Sequence, residues 1–183
     1  SADEMLASLR VEHNHVLNEL YALQQAAPPA AIREEATHAY RFTLESAWLL
    51  SLATDTARRI GSQTVTSVHL LAALLSLASP AQEVLVETFG VTAEQLWQQM
   101  HTAAYPRQVE ARLPLAEDVQ RILGYAIGEA WNRGHLAVAP LHIAMGLARV
   151  ERHAALDLLA DLGVPQASLA DALERVMPPP VSP

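Results

Sequence analysis

One block of sequence occurs twice in this chain, and the two copies align without an insertion or deletion. Residues 50–96 form the first copy and residues 123–169 form the second. Gly61 and Gly134 are 73 positions apart, and so are His69 and His142 (134 − 61 = 142 − 69 = 73). The other matched positions are mostly small or apolar, and they include Leu50/Leu123, Ala53/Ala126, Val65/Val138, Leu74/Leu147, Leu85/Leu158, Gly90/Gly163 and Val91/Val164. The pattern predicts two stacked copies of one helical unit, which offer a binding groove between them more readily than a catalytic centre.

Composition excludes several classes of chemistry. The 183 residues are 51% hydrophobic and 17% charged, which predicts one compact domain with a substantial core. All twelve basic residues are arginines and the net charge is -8, so lysine chemistry and nucleic-acid binding are not expected. Cysteine is absent, which excludes thiol nucleophiles, disulfides and thiolate metal sites. We expect no cofactor.

The sequence gives no sign of a membrane segment or a targeting signal. The longest apolar run, residues 68–78, is shorter than the ~20 residues that a membrane-spanning helix needs. No charged segment precedes a signal-like apolar stretch. We therefore expect a cytoplasmic protein that does not contact a membrane.

Apolar periodicity predicts four helices in each copy. The first helix is predicted over residues 43–60, with a broad buried face that includes Leu44 and Trp48, and its twin over residues 117–133. Glycines are expected to end these helices and to separate the last two helices of each copy, at Gly61, Gly134, Gly90 and Gly163.

The starts of the remaining helices carry recognisable caps. Thr66 is placed to cap the second helix of copy one, and Pro140 takes the first helical position in copy two. Residues 79–82 and residues 92–95 each resemble an N-terminal cap with a glutamine three residues on. No period-2 run of β-branched residues competes with these helices. The predicted fold class is all-α, with two tandem four-helix repeats related by pseudo-two-fold symmetry.

The chain divides into three parts. Residues 1–40 are predicted to form a helical arm and connector, residues 41–177 the double repeat with copies at 41–104 and 114–177, and residues 178–183 a proline-rich tail. Apolar side chains recur at heptad spacing in the arm, which leaves three alternatives: a helix packed on the domain, a homodimerisation helix, or an amphipathic segment that blocks a groove. The first is preferred because isolated helices of this length are marginally stable in water.

The repeated residues resemble the Clp N-terminal repeat of AAA+ protein unfoldases. The matching residues of copy one are Arg41, Phe42, Thr43, Gly61, Thr66, His69, Leu70, Leu71, Leu74, Leu85, Phe89, Gly90 and Val91. Those of copy two are Gly134, His135, His142, Ile143, Gly146, Leu147, Leu158, Leu162, Gly163 and Val164. The resemblance covers residues 41–177 and implies a fold of two Clp repeats.

By that resemblance the chain is expected to be a non-catalytic module that docks substrates or adaptors and acts in or regulates ATP-dependent proteolysis. Its expected partners are proteins: a Clp unfoldase, a peptidase, an adaptor or a client. Two architectures stay open, a fragment that ends at the linker to an ATPase and a separate accessory or decoy of the protease. The alternative function is a regulatory or sensory domain of the same fold that binds a small hydrophobic ligand.

The resemblance also implies a binding face where the first helices of the two copies meet. The matching positions are Leu50, Leu115, Gly124, Ile127 and Trp131. Gly124, Ile127 and Trp131 fall on one side of a helix, at spacings of three and four. The alternative is that they are ordinary core residues, because apolar stripes on helices are usually buried. Trp131 is the strongest candidate for exposure, since its counterpart in copy one is Arg58.

Two positions depart from the family pattern. In the family an acidic residue commonly precedes the repeated histidine, and in some members the two carboxylates help recognise phosphorylated arginine. Val68 and Leu141 stand at these positions, and neutral apolar side chains cannot pair with a guanidinium group. Phosphoarginine recognition in its usual form is therefore not expected, and ligand recognition is expected to be more apolar.

The histidines and carboxylates suggest no metal or catalytic site. His69 and His142 are expected at the third position of an apolar helix, as structural imidazoles hydrogen-bonded near the cap, because zinc needs three or four ligands. The two histidines within residues 13–15 would point to different sides of a helix. Residues 34–35 and 117–118 are expected to be solvated first-turn charges. No Ser-His-Asp, P-loop or HExxH pattern is present, so the chain is not expected to be an enzyme.

Overall fold

The computed structural model describes residues 41–100 and 113–181, so the predicted arm, its residues 13–15 and 34–35 included, lies outside the described residues. Eight α-helices and two very short strands form the described part, which confirms the predicted all-α double repeat. Copy one contains β1 (Arg41–Phe42), α1 (Leu44–Arg59), α2 (Ser67–Ser76), α3 (Pro80–Glu83) with a π-helical continuation (Val84–Thr88), and α4 (Ala93–Met100). Copy two contains α5 (Glu117–Asn132), β2 (Ala137–Val138), α6 (Pro140–Arg149), α7 (Ala154–Asp161) and α8 (Gln166–Val176).

Side-chain caps begin α1 and α4, the second of them where the sequence predicts it. The Thr43 hydroxyl accepts a hydrogen bond from the Ser46 N–H at 3.2 Å at the start of α1. At the start of α4, the Thr92 N–H donates to Gln95 Oε1 at 2.9 Å, and the Gln95 N–H donates to the Thr92 hydroxyl at 3.2 Å. Each bond satisfies a backbone donor that the helix itself leaves unpaired.

The first helix of each repeat ends in the same turn. Gly61 and Gly134 have φ values of 71° and 68°, in the left-handed region that glycine adopts without a steric cost. The residue after Gly61 donates its N–H to Ala57 O, and the residue after Gly134 donates to Ala130 O, both at 2.9 Å. The two copies therefore leave their first helix in the same direction.

Short backbone pairings join the two copies reciprocally. β1 pairs in parallel with β2, with Phe42 opposite Val138, and Leu115 forms an isolated parallel bridge with Val65. The two pairings are equivalent under the repeat, because 115 − 42 = 138 − 65 = 73. The residues before each first helix thus bind the loop after the first helix of the other copy.

Hydrogen bonds extend this exchange into the helices. The Thr43 N–H donates to Val138 O at 3.0 Å, and the Ala116 N–H donates to Val65 O at 2.8 Å. Ser46 adds a buried bond of 2.7 Å from its hydroxyl to Val138 O. Because the start of each first helix is bonded to the other repeat, we expect the two repeats to unfold together.

The second helix of each repeat forms the centre of the core. α2 packs against α6, and α1 and α5 each pack on both of them. The fully buried side chains of these two central helices include Leu70, Leu71, Leu74, Ile143, Met145 and Leu147. Gly146 permits the closest approach, because a Cβ at this position would lie 2.5 Å from the backbone oxygen of Ile122 in α5. This contact holds α5 on the core and leaves its outer side at the surface.

The predicted buried face of α1 is wrong at two positions. Leu44 is 65% exposed and Trp48 is 52% exposed. The apolar residues that α1 does bury are Ala47, Leu49, Leu50, Ala53 and Ala57. Since apolar residues lie on most sides of this helix, their spacing alone does not mark the side that faces solvent.

Candidate docking surface

One side of α5 carries four residues that are small or apolar. This surface, called here the α5 face, consists of Gly124, Ile127, Gly128 and Trp131, which are spaced by three and four along the helix. Gly124 is exposed and Trp131 is 39% exposed, whereas Gly128 is half-buried and Ile127 packs partly on the core. The α5 face therefore reaches from the core to the solvent.

The two glycines of the α5 face have no steric reason to be glycine within the described part of the chain. A Cβ at Gly124 or at Gly128 would meet no atom within 4 Å. Glycine in the middle of a helix costs about 0.5–1 kcal/mol relative to alanine, so the two positions together lower stability by roughly 1–2 kcal/mol. Gly146, by contrast, is crowded by α5. The α5 face thus has room above its backbone that no described residue fills.

The other two candidate residues, Leu115 and Leu50, are more buried than Gly124 and Trp131. Leu115 precedes α5, bridges Val65 and is half-buried against the core. Leu50 of α1 is 2% exposed and belongs to the core itself. A ligand on the α5 face would not touch Leu50 without a rearrangement. The structure brings together the three candidates of α5 and places Leu115 at the start of that helix.

A charged cluster closes the C-terminal end of α5. Arg133 Nε lies 2.6 Å from Glu129 Oε1, and Arg133 Nη2 lies 2.5 Å from Glu174 Oε1 of α8. The side chains of Arg133 and Glu129 are 14% and 16% exposed, so this pair is partly removed from water. The hydrogen bond with Glu174 is the main cause that raises the pKa of Arg133. These bonds hold the end of α5 to α8, two residues beyond Trp131.

Six large apolar or aromatic side chains in the described part of the chain are exposed outside the predicted site. They are Leu44 and Trp48 of α1, Tyr125 of α5, Val176 at the end of α8, Val181 of the tail, and Leu136, which precedes β2 and is 94% exposed. The pairing of β1 with β2 brings the start of α1 close to the Leu136 segment. Comparison of the two copies could have identified the exposed side of α1, because Leu44 and Trp48 correspond to Glu117 and Arg121 in copy two. Polar residues at the equivalent positions indicate that this side of the helix faces solvent.

Asp118 was expected to be a solvated first-turn charge, and this expectation is wrong. Asp118 Oδ2 accepts a hydrogen bond from the Ser67 N–H at the start of α2, at 3.1 Å. Its other oxygen, Oδ1, accepts from the Val119 N–H at 2.8 Å. The carboxylate of one repeat therefore caps a helix of the other. Its neighbour Glu117 is exposed, as expected.

Removal of this carboxylate should weaken the contact between the repeats. We expect Asp118→Ala to lower the free energy of unfolding by about 1–2 kcal/mol, because the start of α2 loses its cap and the Ser67 N–H loses its acceptor. Urea denaturation would measure the change. Glu117→Ala is the matched control and should stay within about 0.5 kcal/mol of the parent. Equal losses in the two variants would contradict the capping role.

The repeated histidines lie at the third position of α2 and α6. The Thr66 N–H donates to His69 Nδ1 at 2.9 Å, and the Ala139 N–H donates to His142 Nδ1 at 2.9 Å. Each histidine is 3% exposed. Burial is the main cause that lowers the pKa of each ring to about 4. Both rings are therefore neutral at pH 7, with one nitrogen occupied by a helix cap.

Two kinds of site are missing from residues 41–100 and 113–181. No group of three or more His, Cys, Asp or Glu side chains in these segments is placed to hold a metal ion. No single helix in them is long and apolar enough to cross a membrane. Only the pair Ser67–Ser76 and Pro80–Thr88, bent by 98°, reaches the required length and composition when its two members are counted together.

The double repeat seen in the structure agrees with the protein family that the sequence matches. Residues 41–162 match the family model of the Clp repeat (R) N-terminal domain. This chain belongs to that family. The match includes both first helices, the α5 face and the reciprocal pairings between the copies, and it ends before α8. No curated protein matches the chain by sequence.

Solved structures show the same Clp repeat fold. The N-terminal domain of the caseinolytic protease associated chaperone ClpD from Arabidopsis thaliana gives a TM-score of 0.61 at 24% identity, over 76% of this chain and 97% of that one. The Hsp104 N-terminal domain from Candida albicans gives 0.62 at 15% identity, over 76% and 94%. A structure from work on a malarial protein secretion system gives 0.58 at 16% identity, over 74% and 93%. At these identities the likeness concerns the fold.

The positions before the repeated histidines are apolar in this Clp repeat domain, and the structure places them against the core. Val68 is half-buried, and Leu141 is 5% exposed. Neither position offers a charge to a guanidinium group.

Proposed function

We propose that this chain is a non-catalytic protein-docking module that serves ATP-dependent unfolding and proteolysis. Its partner is a Clp-type unfoldase, the associated peptidase, an adaptor or a client protein, and the α5 face is the contact surface. Membership of the Clp repeat family supports the class of function. The description of ClpD as a chaperone associated with a caseinolytic protease supports the setting.

The observation that carries the proposal is the pair of uncrowded glycines beside Trp131. Gly124 and Gly128 lower the stability of α5, and a Cβ at either position would meet no described atom within 4 Å. A partner segment would lie directly on the helix backbone there, beside Ile127 and the indole ring of Trp131. A narrow apolar surface of this kind suits an amphipathic helix or an extended peptide. Stability given up without an internal gain is expected where a surface is used for binding.

A larger side chain on the α5 face should weaken binding without destabilising the fold. We expect Gly128→Leu to reduce the affinity for an unfolded client by about tenfold or more, since the leucine fills the room above the helix backbone. The same variant should be up to about 1 kcal/mol more stable, because leucine has the higher helix propensity. Anisotropy of fluorescein-labelled casein, used as an unfolded client, would measure binding, and urea denaturation would measure stability.

The matched control adds the same apolar bulk elsewhere. Gln98 is exposed on α4, and Gln98→Leu should leave casein binding at the parent level. Undiminished binding by a folded Gly128→Leu variant would rule out the α5 face as the contact surface. An equal loss in the Gln98→Leu control would show that the effect is not specific to this face.

A regulatory or sensory role is the second candidate, with a small hydrophobic ligand on the same surface. The exposed part of the Trp131 ring beside the half-buried Ile127 favours it, because these two side chains offer contacts of the size of a small molecule. A saturable change in tryptophan fluorescence on addition of an apolar ligand, absent from Trp131→Phe, would support this role. Casein binding without such a change for any ligand tested would argue against it.

A further inference from the structure

The tail that follows α8 lies against the turn between α5 and β2. The Val181 N–H donates to Arg133 O at 2.8 Å, and His135 Nε2 lies 3.3 Å from Pro179 O. The contact is close, because a Cβ on Gly134 would lie 3.3 Å from the backbone oxygen of Val181. Glycine at this position therefore provides both the left-handed turn and the room for the tail.

The composition of the tail decides which groups can hold it. Residues 178–180 are prolines, which have a carbonyl acceptor but no N–H donor. A site for such a segment must therefore supply a donor, and His135 Nε2 is the ring nitrogen that faces Pro179 O. Val181 has an N–H, and it uses this group on Arg133 O.

A chain of hydrogen bonds determines where the protons lie on two rings. The Ala139 N–H can only donate, so His142 Nδ1 accepts at 2.9 Å and the proton of His142 lies on Nε2. His142 Nε2–H then donates to His135 Nδ1 at 2.7 Å, which leaves the proton of His135 on Nε2, towards Pro179 O. The ring centroids are 5.0 Å apart and the planes meet at 63°. Every link is made while both rings are neutral.

We propose that His135 and His142 form a proton-sensitive clasp, a docking site for an extended proline-rich segment that residues 178–181 of this chain occupy. An added proton on His142 would lie on Nδ1, against the Ala139 N–H. That proton places two donors face to face, so protonation of His142 moves its ring, breaks the chain of hydrogen bonds through His135 and releases the tail.

The surroundings of His142 favour the neutral form of this ring. Burial is the main cause that lowers the pKa of His142 to about 4, and the neighbouring His135 is the second cause. Glu129 of α5 acts in the opposite direction, and Arg133 of the turn acts in the same direction as His135. Arg133 binds Glu129 and also Glu174 of α8. The guanidinium of Arg133 therefore offsets part of the attraction that Glu129 exerts on a proton at His142.

The first repeat has the cap but not the second ring. His69 is the equivalent of His142 and accepts a backbone hydrogen bond at its cap in the same way. Ser62 stands where His135 stands (135 − 62 = 73), and its hydroxyl donates to Thr64 O at 2.7 Å. The pair of rings therefore occurs only in the repeat that the tail crosses.

Backbone relaxation of Val181 in the full chain tests the clasp. At pH 7.5 we expect its 15N heteronuclear NOE to match that of α8, and at pH 4 to fall clearly towards the value of a mobile terminus while core amides keep theirs, because the pKa of His142 is about 4. His135→Ala should give the mobile value already at pH 7.5, since it removes the donor to Pro179 O and leaves the α6 cap in place. His69→Gln, the control in the first repeat, should not change Val181.

Two results would overturn the proposal. One is an ordered Val181 in His135→Ala at pH 7.5. The other is a wild-type Val181 that stays fully ordered from pH 7.5 to pH 4 with a folded core. Unchanged core resonances in each sample separate release of the tail from unfolding of the domain.

Discussion

Lowering the pH from 7 to 4 is expected to remove on the order of 5 kcal/mol of unfolding free energy from this domain. His69 and His142 have a pKa of about 4 in the fold, against the ordinary 6.5. Between these values the unfolded chain binds more protons than the folded chain, so stability falls as the pH falls. Each neutral ring contributes on the order of 2–3 kcal/mol to the free energy of unfolding. This contribution is complete above about pH 6.5 and is lost as the pH falls towards 4.

The causes of the two lowered pKa values suggest a control variant that keeps the helix caps but has no titrating ring there. Burial is the largest cause of the lowered pKa at both rings. The carboxylate of Asp118 raises the pKa of His69, whereas His135 lowers the pKa of His142 further. Burial also lowers the pKa of His153, which acts in the same direction. In the double variant His69→Gln and His142→Gln, each glutamine can accept the same cap N–H without titrating.

Urea denaturation at half-unit steps of pH would measure both proteins. The parent should lose stability steadily below pH 6.5, and the double variant should show a much flatter dependence down to pH 4. A parent curve that stays level through this window would contradict the assignment. A double variant that keeps the full slope would place the titrating groups elsewhere.

Gly146→Ala is expected to lower the free energy of unfolding by about 2–3 kcal/mol. The new Cβ would lie 2.5 Å from Ile122 O and 3.3 Å from the Ile122 carbonyl carbon, and backbone atoms cannot move aside without shifting α5 on α6. The equivalent residue of copy one is Ala73, which is fully buried, so only the second repeat requires this close approach. The helix-propensity gain of about 1 kcal/mol for alanine is too small to compensate.

Two substitutions of the same kind on α5 serve as controls. Gly124→Ala and Gly128→Ala add a Cβ where no atom lies within 4 Å, and each should raise stability by about 0.5–1 kcal/mol. Urea midpoints of the three variants would be compared at pH 7.5. A Gly146→Ala variant as stable as the parent would show that the α5–α6 contact is looser than the structure has it.

The helices of this fold follow from local signals that the sequence repeats. The glycine turns after α1 and α5, the Thr92 and Gln95 cap of α4 and the proline that begins α6 are all decided within a few residues of chain. The glycine turns occur at the same register in both copies, and the helix that begins at Pro140 has its counterpart at Ser67. Agreement between two copies makes such a prediction stronger than either copy alone.

Contacts that join distant parts of the chain were not predicted. The pairing of Phe42 with Val138 involves strands of two residues, which are too short to show a period of two. The bond from Asp118 to the Ser67 N–H spans 51 positions, and sequence spacing gives no sign of it. The exposure of Trp48 depends on which neighbours cover α1, a property of the packing and not of the helix itself.

The candidate site, too, was predicted from the sequence only in part. Gly124, Ile127 and Trp131 were placed on one side of a helix by spacing alone, and the structure has them there. Their exposure was open, because an apolar stripe is equally compatible with a core. Leu50 belongs to the core because α1 turns it towards α2 and α6, and that orientation appears only once the repeats are packed.

Docking to a protein partner in ATP-dependent unfolding and proteolysis is the property on which the proposed role depends. The most direct measurement is calorimetric titration of the full chain with a Clp unfoldase ring that lacks its own N-terminal domains. We expect saturable binding at micromolar concentrations or below, weakened about tenfold or more by Gly128→Leu and unchanged by Gln98→Leu. No saturable binding to the ring, to its peptidase or to unfolded casein would contradict the proposed docking function.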